Sequence, residues 1–147
     1  MTGADSERLR ALRDREQIRD VLMRYAHGVD HRDLEMVRGC FTSDAEYRGA
    51  LAETNVEDAL ARLRTSLSRY AATMHFIAQQ TIVLDGDRAT SEAYAIAYHR
   101  EHLADGERDL VLGVRYRDAL VRDGATWRIH RREAICDWQR RDALRQP

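Results

Sequence analysis

Residues 73–103 read TMHFIAQQTIVLDGDRATSEAYAIAYHREHL, and the fold turns on their period. Two runs rich in Ile, Val, Tyr and Thr flank Asp85-Gly86-Asp87. That is the pattern of two strands joined at a tight hairpin, where glycine supplies the backbone conformation the turn needs. Further turn signals stand at Ala104-Asp105-Gly106 and Asp123-Gly124. The second half of the chain therefore reads as a four-strand antiparallel meander.

Upstream the period changes. Ile18, Val21, Leu22, Tyr25, Ala26 and Val29 form one apolar stripe of a helix, and Leu9 and Leu12 extend it toward the N-terminus. Gly28 loosens its last turn, and a short second helix restarts at Asp33 with Leu34, Val37, Cys40 and Phe41. Residues 44–48 read as a brief extended piece. A third helix starts near Asn55, capped by Thr54 or Asn55, with Val56, Leu60, Leu63, Leu67 and Tyr70 on one face. Helices followed by a meander predict an α+β domain, a cone-shaped curved antiparallel sheet wrapped over N-terminal helices. The open mouth of such a cone is a natural ligand site.

The composition agrees with one soluble globular domain over residues 1–147, with residues 1–6 loosely held. The 24 basic and 25 acidic residues give a net charge of −1, which argues against a nucleic-acid surface. The densest basic run, Arg128 to Glu133, would split between two faces of a strand. No apolar run approaches a membrane span, and the polar start MTGADSERLR lacks a signal-peptide core. Cys40 and Cys136 read as reduced, largely buried thiols of a cytoplasmic protein.

Strand alternation sorts the second half into faces. Ala93, Ala95, Ala97 and His99 share one face, with Tyr94, Ile96, Tyr98 and Arg100 opposite. Leu112, Val114 and Tyr116 share a face of the next strand. On the last strand His130, Arg132, Ala134 and Cys136 lie opposite Trp127, Ile129 and Ile135. Alanines beside a histidine leave the room a pocket wall requires, and Arg132 with His130 would tip it with polar groups, although an exposed sheet face would read the same way. Taken singly, His75 reads as a satisfied core histidine, Tyr25 and Tyr47 as amphipathic core residues, and Asp30 as a helix cap.

The order of these pieces resembles a known family. A helix ending in Y-x-x-x-V-D-x-x-D (YAHGVDHRD, 25–33), the later TMHFI, the GDRA turn, and RYRD followed by DGATWRI look like the SnoaL-like proteins. These belong to the nuclear transport factor 2-like superfamily, with scytalone dehydratase, hexachlorocyclohexane dehydrochlorinase and bile acid dehydratase. The resemblance implies that Asp30 pairs with His75 as a catalytic dyad, and that His99, or His102 across an uncertain hairpin, is a further catalytic histidine. It also implies a substrate-binding Tyr47 and a catalytic Arg132. Where the dehydrochlorinase has a lysine, this chain has Tyr25, which argues for an oxygen-centred leaving group. The cavity reading adds Tyr25, Ala95, Ala97, Leu112, Val114, Tyr116 and His130 as substrate-binding positions.

An Asp–His pair can act as a general base because the carboxylate holds one ring N–H and leaves the other nitrogen free. The expected activity is a cofactor-independent dehydratase, isomerase or cyclase acting on a small hydrophobic oxygenated ring compound, polyketide- or steroid-like. No metal is expected, since His75, His99, His130 and Asp30 sit singly on separate elements. The rival reading is a non-catalytic ligand-binding or subunit-interaction module of the same fold. The outer sheet face, with Tyr94, Ile96 and Tyr98, is expected to pair chains as a homodimer or homotrimer.

Overall fold

A computed structural model describes residues 2–49 and 53–144, so both chain ends of the expected domain, Met1 and residues 145–147, lie outside the described residues. Helix α1 (Gly3–Asp30) opens on a capping box between Thr2 and Asp5. Helix α2 (Leu34–Gly39) and helix α3 (Val56–Leu67) follow, with strand β1 (Phe41–Arg48) and strand β2 (Glu53–Asn55) between them. Strands β3 (Ala72–Asp85), β4 (Arg88–Leu103), β5 (Gly106–Asp123) and β6 (Thr126–Leu144) form the meander. Phe41, expected at the end of the second helix, instead opens β1. Among the described residues no helix is long and apolar enough to cross a membrane.

The sheet is larger than the meander. Its order is β2-β1-β6-β5-β4-β3, and β1 joins β6 in parallel, so the sheet is not wholly antiparallel. Gly86 and Gly124 turn their hairpins at φ +59° and +62°, in the left-handed region where a side chain would be strained. The stripe of α1, with Ile18, Val21, Leu22, Tyr25 and Val29 each at most 5% exposed, packs onto the inner sheet face. The sheet thus closes over the helix through apolar burial, as the periodicity of both requires.

Inner-face alternation holds along β4, where Ala89, Ser91, Ala93, Ala95 and Ala97 are all buried. It fails along β6. The β5–β6 register slips between Ala119/Leu120 and again between Gly113/Val114, and each extra residue reverses the face of all that follow. Trp127 and Ile129 are consequently buried on the same side as Arg132, while His130 is exposed. Cys136 is exposed too, correcting the expectation of two buried thiols; Cys40 is buried. On the outer face Trp138 lies across Gly113, so closely that a Cβ there would collide with its indole.

Candidate active site

Asp30 is the last residue of α1. A carboxylate in the final turn meets the negative end of the helix dipole, so its placement does not serve the helix. Nor does it cap α2: Asp33 does, its Oδ1 accepting the Met36 amide at 2.9 Å. Asp30 instead turns to β3. Its Oδ1 accepts the Thr73 hydroxyl at 2.9 Å and faces His75 Nδ1 at 2.7 Å, and its Oδ2 accepts the His75 backbone amide at 2.9 Å.

Burial works against the charge on Asp30, but the His75 amide and imidazole and the Thr73 hydroxyl outweigh it. The carboxyl therefore stays below its ordinary range. With Nδ1–H donated to the carboxylate, His75 keeps the lone pair of Nε2. Thr73 was not singled out in the sequence, although alternation in TMHFI places it on the same face as His75.

His99, and not His102, faces the dyad. The His75 and His99 rings meet edge to face at 5.8 Å, with Tyr70 against His99 at 4.8 Å. His102 points away and pairs with Glu107 at 3.0 Å, its side chain 66% exposed. His99 Nδ1 is buried without a hydrogen-bond partner. Burial, and then the neighbouring His75, push the His99 imidazole below its usual range.

Arg132 is wholly buried and grips Asp118 through two hydrogen bonds of 2.8 and 2.7 Å. Its guanidinium stacks over Tyr25 at 4.2 Å and Tyr116 at 4.5 Å. Burial opposes its charge, yet Asp118 holds it firmly protonated. It meets the rest of the interior through aromatic faces, with Nη1 left unpartnered. Burial pushes the Tyr47 and Tyr116 hydroxyls well up, so both remain proton donors at neutral pH.

A cavity of about 700 Å³ opens between α3, β1 and the inner sheet face. Tyr25, Tyr47 and Leu112 line it, three of the expected substrate-binding residues. The others do not. Ala95, Val114 and Tyr116 belong to the hydrophobic core under α1, Ala97 is buried at 1% exposure, and His130 is on the outer face near Thr42 and Asp44. The alanines make room for α1 rather than for a ligand, and His130 is displaced by the first register slip.

Asp30, His75 and His99 do not line the cavity. The dyad is tied to it by one row of the sheet, in which His75 pairs with Ala97 and Ala97 with Leu112. At the ordinary strand spacing, Leu112 lies about 10 Å from His75, with a single methyl between them. His130 also lies too far from His75 and His99 for a shared metal: among the described residues no three His, Cys, Asp or Glu side chains could hold an ion.

Residues 10–133 match the family model of the SnoaL-like domain. No curated protein sequence matches the chain. Among solved structures, the Kfla4162 protein from Kribbella flavida is 26% identical, with 88% of this chain and 95% of that one covered and a TM-score of 0.82. A type 2 hexachlorocyclohexane dehydrochlorinase (LinA) is 16% identical, with 92% and 93% covered and a TM-score of 0.80. A candidate scytalone dehydratase from Novosphingobium aromaticivorans is 20% identical, with 96% and 93% covered and a TM-score of 0.78. At such identity the last two speak for the fold. Taken with the α+β cone, the match over most of its length shows that the chain belongs to the SnoaL-like family of the nuclear transport factor 2-like superfamily.

Proposed function

We propose that the protein is a cofactor-independent lyase or isomerase in which the Asp30–His75 dyad removes a carbon-bound proton next to a carbonyl. The observation that carries this reading is the 2.7 Å contact between Asp30 Oδ1 and His75 Nδ1, which fixes the tautomer and leaves Nε2 as the base. Dehydrochlorinase and scytalone dehydratase activities named for proteins of this fold are eliminations, which supports the same class.

In the dehydration form, His75 Nε2 takes the α-proton and the carbonyl becomes an enolate. The Tyr25 and Tyr47 hydroxyls, on the cavity wall, donate to the enolate oxygen. Arg132 acts as a positioning residue: its charge beneath the Tyr25 ring favours donation by that hydroxyl. The enolate then expels the β-hydroxyl. The proton held by His75 goes to the departing oxygen, so water leaves and the base is restored. His99, neutral at pH 7, assists as a hydrogen-bond donor rather than as an imidazolium. Without a leaving group, returning the proton to another carbon gives isomerisation. The substrate, a hydrophobic oxygenated ring, enters from the cavity, and its α-carbon must pass Leu112 and Ala97, a row about 10 Å wide, to come within reach of His75 Nε2.

The alternative is a binding module, favoured by one observation: the cavity wall does not include the dyad. Screening hydroxylated cyclic ketones for loss of water, with His75→Ala and Asp30→Asn as controls, separates the two. The enzyme reading expects turnover to vanish in both variants while the circular-dichroism spectrum is kept. Turnover unchanged in either variant overturns it.

A further inference from the structure

Helix α3 carries a second pattern besides its apolar stripe. Arg62, Thr65 and Ser66 recur at i, i+3 and i+4, Arg69 follows in the turn just past the C-cap Ser68, and all four line the cavity. Both arginines are exposed, so they stand where the cavity meets solvent. Among the described residues neither has a carboxylate within ion-pair distance, whereas Arg38, Arg117 and Arg132 are each paired, with Glu57, Glu92 and Asp118. Among the described residues no aspartate or glutamate lines the cavity. In a chain of 25 acidic and 24 basic residues, a lining with two unpaired cations and no acid is not set by composition.

We infer that the rim formed by Arg62 and Arg69 binds a carboxylate-type anionic group on the ligand, while Tyr25, Tyr47 and Leu112 take its apolar body. The inference rests on the cavity being the ligand site and narrows the substrate class from a neutral ring compound to an anionic one. The guanidinium fork matches an anionic oxygen group in geometry as well as charge, and the Ser66 hydroxyl adds a donor between the two arginines, whereas that of Thr65 is donated to the Ala61 carbonyl at 3.2 Å. Each pair is partly exposed, so its contribution is modest and falls with salt.

Two fluorescent probes with the same ring system test this without the natural substrate: 8-anilinonaphthalene-1-sulfonate and the neutral N-phenyl-1-naphthylamine. The native protein should bind the sulfonate about tenfold tighter, the sum expected of two exposed ion pairs. In Arg62→Gln/Arg69→Gln the two affinities should converge through weaker sulfonate binding alone, and salt should have the same effect on the native protein. Equal affinities in the native protein, a preference that survives the double variant, or no binding of either probe each overturn the inference. His75→Ala should leave the preference intact. A preserved preference beside unchanged turnover in that variant would sink the catalytic reading and leave the anion rim standing.

Discussion

His75 is held twice by Asp30: its Nδ1 lies 2.7 Å from one carboxylate oxygen and its backbone amide 2.9 Å from the other. A carboxylate fixed at both oxygens cannot rotate without breaking one bond. The imidazole is thereby set in one orientation before any ligand arrives, the preorganisation a general base needs.

Thr73 completes that grip, and its removal has a graded effect. Thr73→Val should keep the fold, lower kcat several-fold with KM unchanged, and move the acid limb of the pH–rate profile upward, because one donor to the carboxylate is lost, worth about 1 kcal/mol. A change confined to KM would contradict a positioning role.

The pH dependence of stability follows from His99. Its folded pKa lies below the ordinary 6.5, so the unfolded chain binds the proton more readily. The stability contributed by the neutral ring is present above that value and is lost as pH falls through the folded pKa. Thermal unfolding followed from pH 7.5 to 5 should show a steeper decline in the native protein than in His99→Phe. Parallel curves would contradict it.

Arg132 and Asp118 form a buried ion pair, with side chains 0% and 2% exposed. Asp118→Ala leaves the guanidinium charged without its partner, at a cost of about 3–5 kcal/mol in urea unfolding. Arg132→Met/Asp118→Leu removes both charges and should recover most of that. A loss below about 1 kcal/mol in the single variant would show that the pair is not closed to water.

We propose that two or three copies associate through the outer sheet face. Met74, Phe76, Tyr94, Ile96 and Trp138 leave large apolar side chains there, each at least 39% exposed. Light scattering coupled to size exclusion should give a dimer or trimer mass for the native chain and a monomer mass for Ile96→Arg. A monomeric native chain would contradict the pairing.

The cone, the helix stripe and the Asp30–His75 pairing were legible in the sequence because each rests on a local period or on a motif kept at matching positions. Asp33, where the second helix restarts, caps α2 for an equally local reason: its side chain stands three residues before its target amide. The faces of β6 were not legible. A bulge carries no mark in residues 126–138: the slip at His130 turns that residue outward and leaves Arg132 inside, while the second slip, at Asp137, lies beyond Cys136, which pairs with Val114 on the face of Arg132 and is nevertheless exposed. The alanines of β4 were placed on the correct face but given the wrong neighbour, since a small side chain makes room equally for a helix and for a ligand. Asp118 could have been found, because alternation from Tyr116 puts it beside Arg132.

The measurement that tests the central claim most directly is a nitrogen-15 NMR titration of the histidine side chains in the native protein and in Asp30→Asn. The account predicts that native His75 holds a single Nδ1–H tautomer, and that this preference weakens in Asp30→Asn. A His75 that exchanges between tautomers to the same extent in both proteins would show that the carboxylate does not orient the ring, and the dyad would fall.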